Sequence, residues 1–161
     1  MATDIFLDLG DDIKGECKDS VYEGAINVNG WDWGMSQPGS FHEGGGGGCG
    51  KVSVQNITIS KYVDTASTNL MLYCCTGKHF DEGKLVVRKA GGEQIEYFII
   101  TLKKILVTNI STTAEDGADR MTESVSLNFA EFSVDYTEQM NDGSGGATMT
   151  FGFNIEENIE V

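Results

Sequence analysis

Hydrophobic and polar residues alternate along most of this chain, the period of strands that bury one face. Ile5, Leu7 and Leu9 share one side of the first such stretch. Ala25-Ile26-Asn27-Val28 leads to Trp31-Asp32-Trp33, where both tryptophans point one way and Asp32 the other. Gly30 and Gly34 flank that pair, and Pro38, the only proline, marks the exit. The final stretch repeats Met149, Phe151, Phe153 and Ile155 with a clean period of two.

Three longer stretches change phase midway. In "KVSVQNITISKYV", Val52 and Val54 share one parity and Ile57 and Ile59 the other. In "ESVSLNFAEFSVDY", Val125, Leu127 and Phe129 give way to Phe132, Val134 and Tyr136. In "IEYFIITLKKILVTNI" the shift falls around Lys103-Lys104. Such a slip flips the side chains unless an extra residue absorbs it, as a β-bulge does while bending the strand. Long strands that bend and cross over suit a closed or strongly coiled barrel. The expected fold is mainly β, a two-sheet β-barrel forming a single domain over residues 1–161.

One segment breaks the alternation. In "DTASTNLMLYCCTGKHF", Leu70 stands four before Cys74 and Met71 four before Cys75, an apolar stripe at helical spacing. A short α-helix over about 67–76 is expected to flank or plug the barrel. Ser67 or Thr68 is placed to cap it and Gly77 to end it. Cys74 and Cys75 then read as buried small hydrophobes. "STTAEDGADR" and "TEQMNDGSGGA" read as loops between the last three strands.

Charge narrows the partners. Acids outnumber bases 25 to 11, for a net charge of −14, the wrong sign for nucleic acid or an anionic membrane. Residues 78–104 are the exception, with six bases against four acids. That stretch reads either as a mixed solvated surface or as a contact between copies. No apolar run approaches the roughly 18 residues that span a bilayer, so no membrane insertion is expected. The first twenty residues hold Asp4, Asp8, Asp11 and Asp12 and lack a cationic start with an apolar stretch, so no signal peptide is expected. The four cysteines, Cys17, Cys49, Cys74 and Cys75, show no C-x-x-C spacing, and His42 and His79 fit no zinc pattern. Neither a metal nor a cofactor is expected.

The stretch "GSFHEGGGGGCGKVSV", residues 39–54, invites a phosphate-binding reading. Gly45, Gly50 and Lys51 match most of a P-loop, but Val52 occupies the hydroxyl position. A P-loop also opens a helix, whereas the residues after Lys51 alternate as a strand. Cys49 and His42 share this loop, a poor platform for the fixed geometry a nucleophile and base need. Glycine instead allows unusual backbone angles and close approach of another chain. The loop therefore reads as either a hinge or an arm that docks on another copy.

These pieces closely resemble Hcp, the haemolysin-coregulated protein family of the bacterial type VI secretion system. The match carries Ile13-Lys14-Gly15-Glu16, Trp31 to Gly34, the glycine loop with Gly50-Lys51-Val52, and Val87-Arg88-Lys89-Ala90-Gly91-Gly92. It runs over nearly the whole chain. The resemblance implies a structural, non-enzymatic subunit with no cofactor, six copies forming a ring, and rings stacking into the inner tube of a contractile injection machine. A spike protein of the VgrG type caps that tube and a contractile sheath surrounds it. Effector proteins ride in the lumen. Such a chain begins in the bacterial cytoplasm and is secreted through the machine it builds. Residues 39–51 then correspond to a ring-stacking loop, with Phe41, His42, Gly45, Gly46, Gly47, Cys49, Gly50 and Lys51 as its parts. Lys14, Gly15 and Glu16 are placed near a subunit interface. Asp32 is a candidate lumen-facing residue. Cys49 reads as a small residue or as the thiol of a ring-to-ring disulfide. The competing reading is a small-ligand-binding β-barrel, whose tryptophans and phenylalanines would line a cavity.

Overall fold

A computed structural model describes residues 2–39, 41 and 50–161. The chain runs β1 (Thr3–Asp8), β2 (Ile26–Asn27), β3 (Gly30–Asp32), β4 (Met35–Ser36), β5 (Ser53–Val54), β6 (Ile57–Tyr62), α1 (Ser67–Thr76), β7 (His79–Lys89), β8 (Glu96–Thr113), β9 (Thr122–Gln139), β10 (Gly145–Asn154) and β11 (Ile159–Glu160). The fold is mainly β, as the alternation predicts. The strands pair antiparallel throughout, in two sheets. Nine strands form one antiparallel sheet in the order β11-β10-β9-β8-β7-β1-β2, with β6 branching from β9 and β3 from β6. The sheet curls but does not close as a continuous barrel. Extended residues 26–32 run between its ends, β2 on β1 and β3 on β6. Between them Val28 N donates to Ile5 O and Asn29 N to Ser60 O.

Length explains why one sheet serves both layers. β8 and β9 are 18 residues each. β9 pairs with β6 along its first part and with β10 along its second. Between those parts the strand must turn its apolar face over, and it does so together with its neighbours. On β7 the buried positions pass from Phe80 to Gly83 and Leu85, on β8 from Leu102 to Ile105, and on β9 from Phe129 to Phe132. Asp81, Lys104 and Ala130 fall in one row across these strands, and the register is unchanged on either side of it. Each strand thus spends one residue in the same row, and the sheet creases without slipping. Lys104 lies at φ 55, the left-handed region that L-residues seldom adopt. A separate bulge lies between Val107 and Asn109. The first phase change, at Gln55-Asn56, is not a bulge at all. The chain leaves β5 there and starts β6 with a different partner.

The main core packs inside the curl. It includes Leu7, Leu9, Ile57, Ile59, Leu85, Ile100, Leu102, Val125, Leu127 and Phe132. Trp31 stacks on Phe98 at 5.6 Å between centroids, and Trp33 meets Phe132 edge-on at 4.9 Å, so both tryptophans do face inward. Helix α1 covers this core with Leu70 and Tyr73, and Gly77 ends it at φ 69, donating to Tyr73 O. Two expectations for the helix are corrected. Ala66 is the N-cap residue, and the turn before it is held by Asp64 Oδ1, which accepts from Ala66 N at 2.9 Å. Of the cysteine pair, Cys74 is partly buried against the core while Cys75 is exposed, because adjacent helical residues cannot share one face.

Candidate functional site

The glycine arm grows from a small fixed stem. β4 and β5 pair Met35 with Val54 and Ser36 with Ser53, apart from the nine-stranded sheet. Gln55 N donates to Gly34 O at 2.9 Å, and Trp33 Nε1 donates to Gln55 O at 2.9 Å. Because the Trp33 ring lies against Phe132, these bonds tie the stem to the core. The arm's two ends meet: a side chain at Gly50 would place its Cβ 2.1 Å from Pro38 Cγ, so only glycine fits. Phe41 stands 84 % exposed, and Lys51 is exposed beside the stem. Beneath lies an open cleft of about 340 Å³ with Met35, Val52, Val54, Phe151 and Phe153 in its walls. Val52 sits in that apolar wall and β5 follows it, so the phosphate-loop reading lacks its helix here. His42, Gly45, Gly46, Gly47 and Cys49 lie outside the described residues.

The Lys14-Gly15-Glu16 motif fastens the chain to itself. Gly15 N donates to Gly24 O at 2.8 Å, and a Cβ on Gly15 would stand 2.5 Å from Ala25 O. Glu16 Oε2 accepts from Thr65 N at 3.3 Å, and Thr65 Oγ1 donates to Lys14 O at 3.2 Å. The motif therefore braces the turn that opens α1. Its Lys14 ammonium stays at the surface, 3.3 Å from Asp11.

Asp32 belongs to a broader surface. On the outward face, Asp32 stands opposite Thr58, Thr58 opposite Ser126, and Ser126 opposite Asn109. The next row holds Gly30, Ser60, Ser124 and Ser111. Thr58 Oγ1 and Ser126 Oγ lie 3.0 Å apart, and Asn128 Nδ2 donates to Asn56 Oδ1 at 2.9 Å. Asp32 is the one ionisable residue in these two rows, although the chain carries 36 charged side chains. The sequence carried a signal for this face, since hydroxyl and amide residues fill the polar parity of "ESVSLNF".

Two buried ionic clusters were not foreseen. Lys61 is fully buried, its Nζ 2.8 Å from Glu123 Oε1 and 2.9 Å from Asp64 Oδ1, with Ser67 Oγ at 3.2 Å. The clue is parity: Lys61 continues the buried Ile57, Ile59 series, and Glu123 precedes Val125. Arg88, 3 % exposed, pairs with Asp19 at 2.5 Å and Asp4 at 3.2 Å, its guanidinium over the Phe6 ring. The hydrogen bond from Arg88 holds the Asp19 carboxyl down to about 2. Burial, and then its bond to Glu96, pushes the Tyr22 hydroxyl above its ordinary range. Among the described residues no group of three His, Cys, Asp or Glu is arranged to hold a metal.

A creased antiparallel sheet with one flanking helix, and a two-stranded stem tied to its core, defines a mainly β protein, and the comparisons say to which family it belongs. The sequence model of the family described as type VI secretion system effector, Hcp, matches residues 6–136. Protein hcp1 of Pseudomonas aeruginosa is 51 % identical over the full length of both chains. The crystal structure of Hcp1 from Salmonella typhimurium superposes with a TM-score of 0.82 at 33 % identity, covering 100 % of each chain. A further type six secretion system protein shares the fold at a TM-score of 0.93 and 23 % identity, covering 99 % of this chain and 100 % of that one. This chain belongs to the Hcp family of the type VI secretion system.

Proposed function

We propose that this protein is a subunit of the type VI inner tube: six copies close a ring, rings stack through the 39–51 arm, and the assembly is secreted with effectors in its lumen. The observation that carries this reading is the arm's mounting. An exposed Phe41 and Lys51 flank a stem hydrogen-bonded through Gln55 to a core tryptophan. A stem tied to the core fixes the point from which the loop it carries would meet the adjacent ring. Asp32 and the hydroxyl rows around it are assigned to the lumen wall, where uncharged groups let cargo slide. The ammonium of Lys14 is assigned to the boundary between subunits. The spike and the sheath are the expected partners at the tube's tip and outer wall, and the role is structural rather than enzymatic.

Solution mass tests the reading. At neutral pH with reductant, six copies of 17.4 kDa give about 104 kDa by sedimentation. A mass of one subunit at every concentration would count against a ring that is stable by itself.

A further inference from the structure

The rows around Asp32 hydrogen-bond largely to themselves. Asn128 Nδ2 donates to Asn56 Oδ1 at 2.9 Å, Asn56 Nδ2 to Thr108 Oγ1 at 3.2 Å, and Thr108 Oγ1 to Ser126 O at 3.2 Å. Thr58 Oγ1 and Ser126 Oγ lie 3.0 Å apart, one donating to the other. Ser60 Oγ donates to Gly30 O at 3.4 Å. A hydroxyl carries one hydrogen, so one that donates inside the face presents only lone pairs outward. The wall is neutral and mostly satisfied from within, and it gives a passing polypeptide little to hold.

Asp32 is the exception. It is exposed, and among the described residues no ammonium or guanidinium lies within ion-pair distance of it. Together with Thr58, Ser60 and Ser124 it lines an open depression of about 250 Å³. Gly30 lines the same hollow, and a Cβ there would stand 3.3 Å from Ser60 Oγ, so the missing side chain keeps the space beside Asp32 open. One carboxylate and several hydroxyl oxygens make a set of acceptors with no cation of its own.

Charge complementarity identifies what fits. A guanidinium offers five N–H donors and no acceptor, and its planar fork matches a carboxylate with hydroxyl oxygens beside it. A single exposed pair of this kind contributes little. A ring repeats the hollow once per copy around one lumen. Repeated weak contacts add up for a partner that carries several cations, while each contact alone still breaks easily. A cargo with an acidic surface meets like charge at every copy. We infer that Asp32, with the oxygens of Thr58 and Ser60, is a guanidinium subsite, and that the ring it repeats in selects cargo proteins with arginine-rich surfaces. The inference rests on the proposed ring and adds the class of cargo it holds.

Binding of a fluorescent hexa-arginine peptide to the full-length chain tests this. Anisotropy is read at about 150 mM salt, where diffuse attraction to a chain of charge −14 is screened. The unmodified chain should bind this peptide and not its uncharged hexa-citrulline analogue. Asp32→Asn should weaken binding about tenfold and Asp32→Glu should keep it within about threefold. Asp116→Asn removes the same charge from an exposed loop and should leave binding unchanged. Because Asp32 and Asp116 are both exposed, the urea midpoints of all three variants should match that of the unmodified chain. Equal binding of the two peptides, full binding by Asp32→Asn, or an equal loss in Asp116→Asn would overturn the subsite, while a ring mass by sedimentation leaves the tube reading standing. A single-subunit mass at every concentration would overturn both.

Discussion

At the scale of single residues, the two buried ionic clusters make opposite demands on solvent. Lys61 is sealed, and its ammonium is matched by two carboxylates and a hydroxyl. Lys61→Met should cost roughly 3–5 kcal/mol, because Glu123 and Asp64 lose their counter-charge in a dry site. Urea unfolding measures this, and adding Glu123→Leu to Lys61→Met should recover part of the loss, since a well-packed apolar pair can replace a buried ion pair. The Arg88 cluster reaches the surface through Asp19, so it responds to acid. The Asp19 carboxyl is held at about 2, below its ordinary 3.8. A group with a depressed folded value stabilises the fold above its unfolded value and loses that contribution as pH falls. Stability from this contact should therefore be full above about pH 4 and fade toward pH 2. Asp19→Asn should flatten that part of the acid-unfolding curve, and an unchanged curve would remove Asp19 from the account.

At the scale of elements, the crease decides what could be read in advance. The alternation of "ESVSLNFAEFSVDY" announced a face change, and the structure has one at Ala130. The change around Lys103-Lys104 was equally legible. What the pattern could not show is that the two lie in one row with Asp81, since register depends on how strands pair. Bent long strands suit a closed or a strongly coiled sheet alike, and side-chain parity does not record which; here residues 26–32 bridge β1 and β6 without closing a continuous barrel. The role of Ser67 was misread for a related reason. Its hydroxyl donates to Glu123, a partner distant in sequence, and accepts from Lys61 Nζ and from Asp64 N in the turn before the helix, so it serves that turn and the buried ion pair rather than the helix's own N–H groups. Of the candidate site, Phe41, Gly50 and Lys51 are singled out by the family resemblance, whereas the stem under them depends on the tertiary bonds of Trp33 and Gln55, which no sequence pattern records. The crease also yields a prediction. Lys104→Gly should raise stability by about 1 kcal/mol, since glycine removes the left-handed penalty and the lost pair with Glu156 is exposed. A lower urea midpoint would show that the Lys104–Glu156 contact outweighs the backbone.

At the scale of the whole molecule, the arm and the body should be separable. Removing residues 43–48 takes away no residue of the described core, of the Trp33 anchor or of β10. On the proposed tube reading, the shortened chain should match the unmodified one in urea midpoint and in solution mass, and should form no ring-on-ring stacks by electron microscopy. Stacks that persist without the arm would place the axial contact on the body of the ring.

Pro38 and Gly50 stand in direct contact at the mouth of the arm, and this frees the segment between them from the architecture it serves. Chain that departs and returns at one point imposes no span on what lies between. Lengthening such a detour twofold costs only about 0.6 kcal/mol of closure entropy. The body can thus keep one shape while the arm varies in length and composition. Successive variants could meet differently shaped neighbours with no redesign of the sheet, and a foreign peptide spliced between Pro38 and Gly50 would be displayed on an unaltered scaffold.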